Sequence, residues 1–158
     1  MDIGKIPPND TEAEQAVLGS MLTDKDAVIN AIEVLKEEDF YREDNKIIYR
    51  AILNLYNRAE PIDIITLKSE LTSMGKFEAT GGLEYLAELP EMVPTTANVD
   101  RYIKIVEEKS ILRQLIKSTN DIYIDAKTDA GDVKISKNNR KSDIELNIRT
   151  DAGDIKVN

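Results

Sequence analysis

The side chains that most often carry out reactions are scarce in this chain. Its 158 residues include no Cys, no His and no Trp. Disulfides are therefore impossible, and a zinc site of the usual Cys/His type has no ligands. Cys nucleophiles and His-based triads are excluded in the same way. Carboxylates are plentiful, in the clusters Glu12/Glu14, Glu37/Glu38/Asp39 and Glu107/Glu108. A pair of them could serve as general acid and base, but that role needs a buried environment. Each cluster lies in an amphipathic helical pattern, so a solvated face is expected instead. Asp129/Asp132 and Asp151/Asp154 invite a calcium reading. Their spacing is not that of an EF-hand loop, and Asp beside Gly is ordinary turn chemistry. Tyr41, Tyr49, Tyr56, Tyr85 and Tyr102 could stack on bases, yet their helical spacing and acidic neighbours favour core and interface roles.

Phosphate-binding signatures are missing as well. Gly-x4-Gly-Lys-Ser/Thr fails at every glycine, and no Gly-x-Gly-x-x-Gly occurs, so these residues do not argue for a nucleotide-binding enzyme. No cofactor and no metal is expected. The charge points the same way: 21 Lys and Arg against 30 Asp and Glu give a net −9. A sequence-independent grip on nucleic acid needs basic residues to neutralise phosphates. Direct nucleic-acid contact is therefore not expected.

The elements that would position these groups divide the chain in two. Residues 1–121 hold 14 basic and 23 acidic side chains, whereas residues 122–158 hold 7 of each. The first part has a helical period almost throughout. Thr11 and Glu14 have capping-box spacing ahead of Ala13, Val17, Leu18, Met21 and Leu22. Further helices are expected over Asp24–Leu35 and Glu43–Arg58. A shorter one is capped by Asp63, runs through Leu71 and ends at Gly75. Another covers Leu83–Leu89 after Gly81-Gly82, and Pro90 and Pro94 close the unit. From Thr95 or Thr96 one long helix is expected to run to about Tyr123. Its stripe is Val99, Tyr102, Ile103, Val106, Leu112, Leu115, Ile116 and Ile122. Such a helix usually packs on another long helix.

The tail repeats itself at a spacing of 22. Residues 122–136 and 144–158 share seven of fifteen positions, among them the block Thr-Asp-Ala-Gly-Asp. Apolar and polar residues alternate around each Asp-Ala-Gly, the period of a half-buried strand. Gly131 and Gly153 suit tight turns. Each copy reads as strand, turn, strand. The fold class is thus mainly α: a small orthogonal helical bundle, one long protruding helix, and a C-terminal β-repeat segment of two strand-turn-strand units. The expected divisions are 1–94, 95–123 and 124–158. No apolar run approaches the roughly 20 residues of a membrane span, and the N-terminus has no apolar stretch of signal-peptide length. A soluble cytoplasmic protein is expected.

Residues 3–123 resemble the N-terminal domain of the bacterial replicative DNA helicase, the DnaB family. The segments that carry the resemblance begin with Ile6-Pro7-Pro8, Glu12-Ala13-Glu14-Gln15-Ala16-Val17-Leu18-Gly19 and Glu38-Asp39-Phe40-Tyr41-Arg42. They continue with Glu60-Pro61-Ile62-Asp63, Gly81-Gly82-Leu83-Glu84-Tyr85-Leu86, Val93-Pro94-Thr95-Thr96-Ala97-Asn98-Val99 and Tyr102 through Leu115. The resemblance implies a helical bundle and helical hairpin that build a collar above the motor ring and dock primase, without catalytic residues. It places Glu12, Tyr85, Ile116 and Ile122 at partner-facing or collar-packing positions. Tyr102, Val106, Leu112 and Leu115 become candidates for self-association. The implied partners are further copies of the chain (a dimer or higher), the helicase-binding domain of primase, and a helicase loader or full-length helicase. The tail departs from the family and resembles repeats of bacterial adhesins and other β-solenoid proteins. Two alternatives stay open: a motorless regulator that joins the host helicase, and a structural protein whose β tail drives oligomerisation.

Overall fold

The first helix explains much of the packing. In the computed structural model, which describes residues 5–128, 146–150 and 153–157 with side chains through residue 121, α1 (Thr11–Thr23) is buried at every position from Ala13 to Met21. A helix covered all round lies at the centre of a bundle. It packs against α2 (Lys25–Val34), α3 (Glu43–Asn57) and α5 (Gly82–Glu91), while α4 (Ile64–Ser73) packs on α3. The core joins Val17, Leu18, Phe40, Tyr49, Ile52, Leu67, Leu86 and Leu89 with Val99, Ile103 and Val106 of α6 (Val99–Thr128).

Local chemistry sets most boundaries. Asp24 accepts from the Asp26 N–H to open α2, and Asp63 accepts from Ile65 and Thr66 to open α4, satisfying donors that a helix start leaves free. Gly81 precedes α5 at φ +85°, a conformation glycine adopts without a Cβ penalty. Gly19 lets α1 approach α5 closely: a Cβ there would lie 2.1 Å from the Leu89 carbonyl oxygen.

Four expectations are corrected. Asp10, not Thr11, caps α1, its carboxylate accepting from the Ala13 N–H at 2.9 Å. Helix α5 includes Pro90 and ends at Glu91. In the last turn the missing N–H of proline costs a single bond, so the helix survives it. Thr95 caps a 3-10 turn, Thr96–Asn98, and the long helix starts only at Val99. Finally, residues 124–128, expected to begin the β-repeat tail, are the end of α6.

The chain forms two units, Met1–Gln114 and Leu115–Asn158. Within the second, β1 (Leu146–Thr150) and β2 (Gly153–Val157) pair antiparallel, with Leu146 opposite Val157, Ile148 opposite Ile155 and Thr150 opposite Gly153. This hairpin falls within the second repeat copy. The expected second strand of the first copy and its Gly131 turn lie outside the described residues. So do Asp129, Asp132 and Asp151; Asp154 stands in β2 opposite Arg149.

Candidate functional site

Glu14 departs most from expectation, because α1 turns it inward. It is 1% exposed, and its carboxylate is surrounded by donors. One oxygen accepts from the Tyr41 N–H at 2.6 Å; the other accepts from the Asn45 side-chain amide at 2.9 Å and from the Arg42 N–H at 3.4 Å. Asn45, itself fully buried at the start of α3, accepts through its oxygen from the Tyr85 hydroxyl at 2.7 Å. That hydroxyl in turn accepts from Gln15 at 3.1 Å. A buried charge is tolerable only when its lone pairs are filled, and no described buried side-chain polar atom lacks a partner. The network ties α1, the 40–42 segment, α3 and α5 together.

Arg42 closes the outer side of the network. Its guanidinium lies 5.3 Å from the centroid of the Tyr85 ring and is paired with both oxygens of Asp44. Burial raises the Tyr85 hydroxyl pKa above its ordinary value, against the opposing effects of the Gln15 bond and the Arg42 charge. The hydroxyl therefore stays protonated and keeps donating to Asn45. These groups hold the loop in place; they have the chemistry of a scaffold, with no nucleophile beside a base.

A second set of contacts fastens α6 to Asp39, Tyr41 and the N-terminal segment at Pro8. Ser110 donates to Asp39 Oδ1 at 2.6 Å, and Arg113 donates to the Pro8 carbonyl at 2.8 Å and to the Asp39 carbonyl. The Arg113 guanidinium also stands 5.7 Å from the centroid of the Tyr41 ring. Near the other end of the bundle, a groove of about 840 Å³ opens beside Met21, Leu22, Val28, Ile29, Tyr56 and Ile62.

The sequence-predicted residues fall into distinct places. Glu12 is exposed at the start of α1, whereas Tyr85 is half-buried with its hydroxyl committed to the network. Val106 is 1% exposed, packed in the core of its own chain, and Tyr102 lies partly buried against that core. Leu112, Leu115 and Ile116 are 44%, 58% and 36% exposed, and Ile111 beside them is exposed too. Ile122 lies in α6, with its side chain outside those described. Of the tyrosines whose side chains are described, only Tyr49 is fully buried, donating to the Leu35 carbonyl at 2.8 Å, while Tyr41 and Tyr56 are exposed. Among the described residues no cluster of three or more His, Cys, Asp or Glu is placed to hold a metal ion, and no helix is long and apolar enough to cross a membrane.

The sequence reading missed Glu14, Asn45 and Arg42 as a unit. A signal for Glu14 was present: it has Ala13, Ala16, Val17 and Leu18 around it on the helix, a setting in which an acid is enclosed. Each segment contributing to the network except the start of α3 was also a segment carrying the family resemblance.

Comparison with known proteins gives the same assignment. The family model described as DnaB-like helicase N terminal domain matches residues 6–108. The replicative DNA helicase DnaB of Geobacillus stearothermophilus is 45% identical over 139 residues, which cover 87% of this chain and 31% of that protein. The crystal structure of the N-terminal domain of DnaB helicase from Mycobacterium tuberculosis superposes with a TM-score of 0.73 at 44% identity, covering 75% of this chain and 86% of that one. A DnaB-like replicative helicase whose structure was described with its interactions with primase gives a TM-score of 0.66 at 26% identity, covering 76% of this chain and 28% of that one. The match spans between 19% and 31% of the length of these helicase relatives, and the chain belongs to the DnaB-like helicase N-terminal domain family.

Proposed function

We propose that this chain is a non-catalytic module for protein interaction and assembly in a replicative DNA helicase. It works in the cytoplasm as the collar part of a homo-oligomer, dimer or higher, and docks primase or a helicase loader. The observation that carries this reading is the set of exposed apolar side chains Ile111, Leu112, Leu115 and Ile116. They sit on a helix whose earlier apolar positions, Val99, Ile103 and Val106, are buried. Clustered exposed apolar groups mark association surfaces. Leu112 and Leu115 are assigned to self-association, with Tyr102 at its edge. Glu12, Tyr85, Ile116 and Ile122 are assigned to the partner surface, where Tyr85 offers its ring because its hydroxyl is engaged internally. The similarity to a helicase described with primase supports that partner.

The test is a calorimetric titration with the helicase-binding domain of the G. stearothermophilus primase. Glu12→Lys with Ile116→Asp is expected to weaken binding at least tenfold while leaving helicity unchanged. Tyr85→Phe, which keeps the ring, is expected to bind like the parent. Equal affinity of the parent and the double variant would remove this site assignment.

A further inference from the structure

The repeat adopts two conformations within one chain. At its 22-residue spacing, Ile124-Asp125-Ala126-Lys127-Thr128 aligns with Leu146-Asn147-Ile148-Arg149-Thr150. The first stretch is the last part of α6, and the second is β1. Four of the five aligned pairs are identical or close in kind. The exception is the central one, where Ala126 stands against Ile148. Alanine is the best helix former, whereas a β-branched residue loses freedom in a helix and suits a strand. One side chain thus biases otherwise equivalent segments in opposite directions.

The remaining composition does not hold the helix firmly. Ile122, Tyr123, Ile124 and Thr128 are all β-branched or aromatic, and apolar and polar residues alternate from 122 through 125. Helix ends also fray, because their last carbonyls have no partners inside the helix. Among the described residues the hairpin has two strands, and its register places Leu146, Ile148, Ile155 and Val157 on one face. A two-stranded hairpin is marginal on its own and gains independent stability with a third strand, and its open edges are templates for pairing.

We propose that Ile124–Thr128 is a helix–strand switch. In one state it ends α6; in the other it unwinds and pairs with an edge of the β1–β2 hairpin. The switch sets the length of the long helix. Unwinding five residues shortens it by about 7.5 Å at 1.5 Å per residue.

Backbone 13Cα shifts of the full chain test this, with Ala126→Ile and Ile124→Ala as opposing variants. In the parent, residues 124–128 are expected to show shifts between helical and extended values, with exchange broadening. Ala126→Ile should move them to extended values and produce cross-strand amide contacts with β1 or β2. Ile124→Ala should move them to fully helical values. The proposal is overturned if the parent is fully helical through Thr128 and Ala126→Ile leaves it so. Extended shifts in Ala126→Ile without contacts to the hairpin would overturn it equally.

Discussion

Replacing Glu14 by alanine separates two accounts of the Glu12/Glu14 pair. If both acids lay on a solvated helix face, each substitution would change stability by no more than about 0.5 kcal/mol. In the structure only Glu12 is exposed, and Glu14 fills three donors. Its removal leaves the Tyr41 N–H and the Asn45 amide without acceptors, and stranded buried donors cost about 1–3 kcal/mol each. The 3.4 Å bond from Arg42 is long and adds little. Asn45 cannot recover by turning its amide, because its oxygen is held by the Tyr85 hydroxyl at 2.7 Å. We expect Glu14→Ala to destabilise the domain by about 3–5 kcal/mol, or roughly 12–20 °C in Tm at ~4 °C per kcal/mol. Glu14→Gln keeps the shape and one acceptor and should lose about half as much. The assay is urea unfolding followed by far-ultraviolet circular dichroism, in which the midpoint should fall with an unchanged slope. A loss below about 1 kcal/mol for Glu14→Ala, or equal losses for Glu12→Ala and Glu14→Ala, would refute the reasoning.

Other outcomes follow from the same contacts. Gly19→Ala should cost about 1–3 kcal/mol, as overpacking does, because the new Cβ would lie 2.1 Å from the Leu89 carbonyl oxygen; denaturant titration would detect it. Stability should fall in acid. The Arg50 bond holds Glu37 below its ordinary pKa, the Arg58 and Asn54 bonds do so for Glu70, and the Thr66 backbone amide does so for Asp63. A carboxylate with a depressed folded-state pKa stabilises the fold above its unfolded value and loses that contribution as pH falls through the folded one. Thermal midpoints recorded from pH 6 to pH 3 should therefore decline below about pH 4.5, and Glu70→Gln should flatten the decline. Its partner Arg58 is 46% exposed and Glu70 itself 11%, so solvent screening on the Arg58 side should keep the change small.

Much of the bundle could be read from local chemistry because strong signals mark its boundaries. Asp63 caps α4 where sequence alone places it, α2 starts one residue after the expected Asp24, and Gly81 enters α5 at a positive φ. Signals that compete locally were less legible. Thr95 caps a helical turn as expected, but the turn is 3-10 and the long helix starts three residues later. Residues 122–128 satisfy a strand period and a helical stripe together, and no local rule decides between them. Glu14 was hidden for a different reason. Periodicity assigns polar residues to water, whereas only tertiary packing supplies the Tyr41, Arg42 and Asn45 donors that let this one be buried. The exposed positions Leu112, Leu115 and Ile116 were legible as part of a stripe, but Val106 in the same stripe is taken up by the chain's own core.

Sedimentation equilibrium on the full chain, with Leu112→Asp and Leu115→Asp as paired variants, tests the assembly role most directly. The account predicts a dimer or larger species for the parent and a shift to monomer for the variants, with helicity retained. A parent that stays monomeric at high protein concentration, or an oligomer that both charged substitutions leave intact, would contradict it.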